Sequence, residues 1–347
     1  MANSLHNFAA TTSNWRQSLQ TNNHRTYIII GIFLLIYLAI GLLVDMYLYS
    51  SHYPQATLSE LFFALITFQL FPIATCATLA IAAISLLVTY SLYDKLMLLG
   101  TDYHEVTPET AQLLEEKQLY NVVEEVKIAA GLKYMPRVFI IDADYMNAFA
   151  SGYSEKSAMM AITRGLMQKL NRDELQAVMA HEISHIRHMD IKLTLTASLL
   201  ANLTIMVLDI FFYNIIFSRR RDDSRSGNGL VTVIILLRYL LPIINILLLL
   251  YLSRTREYMA DAGCVELMRN NQPLASALLK IQQDHLTHSD AYGAAYLNTP
   301  HENVRREAYI FDPTQAGIKG IGSINDVFST HPSTEDRLSA IGFKLKK

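Results

Sequence analysis

Leu61 to Tyr93 runs for 33 residues without a charged side chain, and three other stretches are of the same kind. Tyr27 to Val44 is 18 residues without charge, closed by Asp45. Residues 193–217 carry only Asp209, and residues 230–252 carry only Arg238, with Pro242 inside. A bilayer core takes about 20 apolar helical residues to cross. The first two stretches therefore read as membrane spans, the second kinked at Pro72, and the last two as further apolar helices. A polar leader, residues 1–26, precedes the first span. That span exceeds the roughly 7–15-residue core of a signal peptide, so it reads as an uncleaved anchor. Asp45 and Asp209 read as solvated residues near span ends.

The charged remainder falls in two pieces, 94–192 and 253–347, of 99 and 95 residues. Together they have the size of one folded domain, interrupted by the hydrophobic segments of 193–252. The chain is 51% apolar and 17% charged, which excludes disorder, and its net charge of −2 gives no nucleic-acid footprint. Two cysteines, Cys76 and Cys264, cannot form a disulfide framework, so a reducing compartment is expected for the folded part. Lys and Arg near span ends set orientation. A cytoplasmic N-terminus places Arg16, Arg25, Lys95, Arg187, Lys192, Arg254 and Arg256 inside. It also places Arg219, Arg220, Arg221 and Arg225 outside, against the rule. The cytoplasmic assignment is kept, with the third and fourth segments expected to pack shallowly or against the soluble domain.

Within the first soluble piece, Thr107-Pro108 predicts a helix start with Thr as cap, carrying Leu113, Leu114, Val122, Val123 and Val126 and ending at Gly131. Residues 137–142 read as a strand and 147–151 as a second, shorter one. Asn171 with Glu174 three residues on predicts a capped helix that runs into His181-Glu182-Ile183-Ser184-His185. Histidines at i and i+4 share a helix face, so both imidazoles can reach one zinc ion, and Glu182 stands beside them to take a proton from water. Catalytic zinc takes three protein ligands and keeps a position open. His188 lies seven residues beyond His181, too far along the helix for one ion, and reads as a helix-end residue. The third ligand comes instead from Arg256-Glu257-Tyr258-Met259-Ala260-Asp261. Glu257 ligates, and Asp261, one turn on, accepts the free N–H of a ligand histidine. Alone, that segment would be an ordinary charged helix; paired with H-E-x-x-H, it supplies a metal site.

The order of these features resembles the HtpX-type membrane zinc metalloproteases, relatives of the type I CAAX prenyl proteases. The matching residues are Asn147 to Gly152, His181 to His185, Ser253 to Asp261, and Ser329-Thr330-His331-Pro332 with Arg337. The leader is longer than that family suggests, and the arginine-rich loop strains its topology. The resemblance implies one zinc per chain on His181, His185 and Glu257, with Glu182 as base. It implies an edge strand through Asn147, Ala148, Phe149 and Ala150 that holds extended substrate by strand addition. It implies also that His331 and Arg337 stand near the zinc, His331 bonding the oxyanion. Without it, Asn147 would read as a turn residue and His331 as an unremarked loop residue.

The expected fold is an α+β zincin-like metallopeptidase domain, with an H-E-x-x-H helix and a small sheet, plus four predominantly helical hydrophobic segments. The expected function is zinc-dependent cleavage of misfolded or damaged membrane proteins at the inner membrane of a bacterium, with the catalytic part facing the cytoplasm. An intramembrane protease is the poorer reading, because Arg172, Asp173, Glu174, Arg187, Asp190 and Lys192 bracket the motif. The other alternative, a zinc-stabilised scaffold or transporter, has no use for Glu182.

Overall fold

The computed structural model describes residues 15–219, 228–299, 305–306, 308–318 and 331–343. The start of the leader, Arg220, Arg221 and Arg225 of the arginine-rich loop, and Ser329-Thr330 lie outside the described residues. In chain order the helices and strands are α1 (Trp15–His52), α2 (Leu58–Ile66), α3 (Ile73–Leu98), β1 (Tyr103–Val106), α4 (Leu114–Ala130), β2 (Arg137–Ile141), β3 (Ala148–Ser151) and β4 (Met159–Thr163). There follow α5 (Arg164–Lys169), α6 (Arg172–His188), α7 (Asp190–Arg219), α8 (Asn228–Met268), α9 (Gln272–Thr287), α10 (Ser289–Asn298) and α11 (Thr334–Ala340). The chain divides into two compact units, one of 1–23, 92–194 and 250–347, the other of 24–91 and 195–249.

Among the described residues, three helical stretches are long and apolar enough to cross a membrane: His24–His52, Ile73–Leu92 and Asp190–Tyr213, the last beginning before the boundary of the second unit. A shorter apolar stretch, Ile235–Asn245, lies in α8. The run expected as one kinked span is instead a short helix, α2, and a separate span in α3. Phe68 at φ 57° breaks the chain between them, and Pro72 stands just before α3. Asp45 corrects a second expectation. It is 1% exposed and accepts from the backbone N–H groups of Ala74 (2.8 Å) and Thr75 (3.0 Å), so it caps α3 rather than facing solvent. Asp209 is not simply solvated either: it pairs with Arg238 at 2.7 Å. Tyr37 donates to the Leu200 carbonyl at 2.7 Å, the type of interhelical hydrogen bond that packs helices where the hydrophobic effect gives no selectivity.

In the first unit, four strands form a sheet in the order β1-β2-β4-β3, with β2 and β4 parallel and the outer pairs antiparallel. β4 is buried at every residue, which is why Met-Met-Ala-Ile-Thr shows no alternation for the sequence to reveal. The predicted helix start at Thr107 is a turn. α4 begins at Leu114, where Glu116 takes the backbone N–H groups of Gln112 (2.9 Å) and Leu113 (3.2 Å). α4 ends as expected, at Gly131 in the left-handed region.

α6 is the centre of this unit, packed against α4, α9 and β3. Its capping box closes as the sequence predicts: Asn171 Oδ1 accepts from Glu174 N (3.0 Å), and Glu174 Oε2 accepts from Asn171 N (2.9 Å). Asp173 and Glu174 occupy its first turn and His185, Arg187 and His188 its last, matching the helix dipole at both ends. From Ala177 to His188 it is buried throughout, so its polar residues exist only because partners await them.

Candidate active site

One face of α6 presents His181 and His185 with their Nε2 atoms 3.2 Å apart. Glu257 reaches in from α8, with Oε2 3.5 Å from His181 Nε2 and Oε1 3.7 Å from His185 Nε2. The three ligand atoms lie within 4.8 Å of one another and all three side chains are buried. α8 comes this close because it carries Gly263. A Cβ there would stand 2.8 Å from Ser184 Cβ and 2.5 Å from its Oγ. The next residue, Cys264, donates its thiol to the Ala177 carbonyl at 3.1 Å, fixing the crossing.

The donor set fits a metal ion. His181 Nδ1 lies 2.9 Å from Asp261 Oδ1, and His185 Nδ1 lies 3.1 Å from both oxygens of Asp190. Each Nδ1–H thus has a carboxylate to donate to, which leaves both Nε2 lone pairs aimed at each other and at Glu257. Three electron-rich groups converge only if a cation joins them. Glu182 adds a fourth: both its carboxylate oxygens are buried without a hydrogen-bond partner. A buried unpaired carboxylate is costly, and sites that hold one use it.

The electrostatics follow from these contacts. Burial opposes charge on His181, but Asp261 and Glu257 reverse this and bring its pKa up to about 9. Burial works against Glu257 too, yet His331, His181, His185 and Arg256 hold it well below the carboxylate range. Burial likewise opposes Asp261, and the Arg337 guanidinium outweighs it and keeps it ionised. Glu182 goes the other way, pushed up by burial, with His181 and His185 offsetting part of the shift. Two neighbouring carboxylates held apart in this manner suit different tasks, one a ligand and one a proton acceptor.

His331 sits 3.7 Å from Glu257 Oε1 through its Nε2; burial lowers its pKa, with Glu257 pulling the other way. Arg337 forks onto Asp261, Nε at 2.9 Å and Nη2 at 2.7 Å, and sends Nη1 to the Ile310 carbonyl at 2.5 Å. It therefore stands behind His181 by way of Asp261. His188 ends α6 and is buried away from the ligand group, where burial drives its pKa down to about 4.

β3, with Ala148, Phe149 and Ala150, is one of the two edge strands of the four-stranded sheet. Its neighbour Asn147 turns inward: the side-chain amide donates to the Phe311 carbonyl (3.0 Å) and the Tyr296 hydroxyl (3.2 Å). Phe149 bridges to Tyr309, and Ile310 N donates to the Ala148 carbonyl at 2.9 Å, so a piece of the chain's own backbone lies along part of this edge.

Two site residues escaped the sequence reading. Asp190 reaches His185 because Met189 takes the left-handed conformation, φ 53°, and turns the chain back, something a methionine does not announce. Arg256 was read only as a charge on a helix, yet its guanidinium closes on Glu257 at 3.0 Å.

Comparison with known proteins places the chain in a family. The profile of peptidase family M48 matches residues 113–342. A protein named Protease HtpX homolog from Helicobacter pylori is 35% identical over 329 residues, covering 95% of this chain and 98% of its own. One of the same name from Limosilactobacillus fermentum is 39% identical over 235 residues, covering 65% of this chain and 73% of its own. The crystal structure of Ste24p from S. mikatae aligns with TM-score 0.46 and 19% identity, over 97% of this chain and 67% of that one. By the profile and the relatives, this chain belongs to peptidase family M48 and is a membrane metalloprotease.

Proposed function

We propose that the chain is a zinc-dependent endopeptidase of the bacterial inner membrane, acting on misfolded or damaged membrane proteins, with its catalytic unit on the cytoplasmic side. The observation that carries this reading is the convergence of His181, His185 and Glu257 beside the unpartnered carboxylate of Glu182. Two imidazoles and one carboxylate form the borderline-soft donor set that zinc favours. When bound, zinc supplies Lewis acidity to the scissile carbonyl and lowers the pKa of the attacking water to about 7. The chain's own residues do the rest. Glu182, one residue from His181 on the same helix, takes the proton from water and returns it to the leaving amine, a role worth roughly 10²–10⁴-fold. His331 donates to the developing oxyanion, an interaction worth about 3–4 kcal/mol in comparable sites. Asp261, braced by Arg337, and Asp190 hold the two imidazoles in the tautomer that ligates.

Substrate is held in extended form along β3, where main-chain pairing accepts many sequences. Since Ile310 already takes the Ala148 carbonyl, an incoming strand pairs toward the Ser151 end or displaces residues 308–311. The leucine- and isoleucine-rich helices anchor the site at the bilayer, where membrane substrates are within reach. The test is Glu182→Gln in detergent with added zinc and casein as substrate. The variant is expected to bind zinc like the wild type and to lose cleavage by at least about a hundredfold. Cleavage near the wild-type rate would remove Glu182, and this mechanism, from consideration.

A further inference from the structure

Arg256 and Glu257 are neighbours in sequence on one helix, and successive helical side chains do not ordinarily face each other. Here the long Arg256 side chain curls round so that two of its nitrogens, Nη2 at 3.0 Å and Nε at 3.3 Å, both reach the same oxygen, Glu257 Oε1. Both residues are buried, 5% and 1% exposed. Oε1 also has His185 Nε2 and His331 Nε2 each 3.7 Å away. Oε2 is different. It is buried without a hydrogen-bond partner, 3.5 Å from His181 Nε2 and 3.9 Å from Arg337 Nη1. The two oxygens of one carboxylate are thus divided, one held by a guanidinium and one left bare toward the imidazoles. A guanidinium next to a divalent-cation site repels the cation, so its presence calls for a role other than tightening the site.

We propose that Arg256 is a positioning residue that makes Glu257 a one-oxygen ligand, holding Oε1 so that only Oε2 serves the ion. A carboxylate that bound through both oxygens would fill a place on the ion that catalytic sites keep for water and the substrate carbonyl. This rests on the zinc peptidase reading above. It makes a prediction opposite to that for a residue which merely steadies a ligand, whose loss weakens metal binding by about 10–100-fold.

Cobalt(II) in place of zinc reports coordination number, since four-coordinate cobalt absorbs visible light strongly and five-coordinate cobalt weakly. Arg256→Gln and Arg256→Met are expected to bind zinc at least as tightly as wild type in competition with a chromophoric chelator. Their cobalt bands should weaken, and kcat should fall by about tenfold or more with KM little changed. Arg256→Lys, which keeps a charged donor, should retain most of the wild-type band. Folding of each variant is checked by its melting temperature after chelation, and if R256M does not fold, R256Q decides. Weaker zinc binding by about tenfold with an unchanged cobalt band would overturn the proposal and leave Arg256 a structural support. Wild-type protein that bound neither metal would instead overturn the zinc reading itself.

Discussion

Two buried imidazole nitrogens face each other 3.2 Å apart because each ring's other nitrogen is held by a carboxylate, and the two carboxylates come from different places. Asp261 is itself clamped by Arg337, whereas Asp190 stands at the first residue of α7. Their loss should therefore differ. Asp190→Asn removes the charge behind His185 and is expected to weaken zinc binding by about tenfold or more. It should leave the melting temperature of the chelated protein close to wild type. Asp261→Asn weakens zinc binding too, but also leaves the Arg337 guanidinium buried without its counter-charge, at a cost of about 3–5 kcal/mol in stability. Parallel zinc titrations and melting curves on the chelated proteins check both. Unaltered zinc affinity in D190N would show that the 3.1 Å contact does not support the ligand. Glu257 and Asp261 could be proposed from the sequence only because a distant H-E-x-x-H calls for a third ligand; alone, their helix reads as an ordinary charged one. Asp190 stayed hidden because its reach depends on the backbone turning at Met189, where glycine or asparagine, not methionine, would have marked the turn in advance.

Among the elements, the crossing of α6 and α8 decides whether the ligands meet at all. Gly263 sits against Ser184, on the turn of α6 that carries His185. Gly263→Ala places a methyl group 2.8 Å from Ser184 Cβ, so the helices must part or bend. Overpacking of this kind costs typically about 1–3 kcal/mol. Because the displaced helix carries Glu257 and Asp261, zinc affinity should fall along with stability. The companion change Ser184→Gly in the same chain, which reopens the space, should recover much of the affinity. Failure of the double variant to recover any would mean that the spacing is set elsewhere, and isothermal zinc titration of the three proteins reads the outcome. α6 was legible from its capping box because every signal lay within four residues. The other elements show where local rules stop. The sheet was half visible: β2 and β3 were read, while β1 was not, and β4, buried on both faces between β2 and β3, lacked the alternation that betrays a half-exposed strand. Thr107-Pro108 has a helix-start composition, but Glu116 fixes the start seven residues later by binding the backbone of Gln112 and Leu113. Asp45, close to the end of a charge-free run, looked like a boundary. It lies inside α1 because the open end of α3 needed a carboxylate.

At the scale of the molecule, the catalytic unit draws on two lengths of chain separated by the hydrophobic segments, and hydrogen bonds stitch them together around β3. From the first length comes Asn147; from the second come Phe311, Tyr296 and His285. His285 donates from Nδ1 to the Ile281 carbonyl at 2.9 Å, so its Nε2 accepts from the Tyr296 hydroxyl at 3.0 Å. The Tyr296 oxygen in turn accepts from Asn147 Nδ2. This chain works only with a neutral His285, and burial lowers its pKa from 6.5 to about 4. Between those two values the unfolded chain binds a proton that the folded chain refuses, so stability rises with pH across the window and is lost as pH falls through it. Between pH 7 and pH 5 the loss from this one residue should reach about 2 kcal/mol. His188 and His331 are displaced in the same direction and His181 in the other, so the total slope of the wild type does not isolate His285. A variant does. His285→Gln can still bridge Ile281 and Tyr296 but has no proton to gain, and the other histidines titrate equally in the two proteins. With metal removed by chelator, denaturant unfolding at pH 7 and pH 5 should show the wild type losing about 2 kcal/mol more than H285Q. Equal losses would mean that water or a rearranged ring meets the proton, and that the seam joining β3 to the second length of chain is held by Asn147 and Phe311 without it.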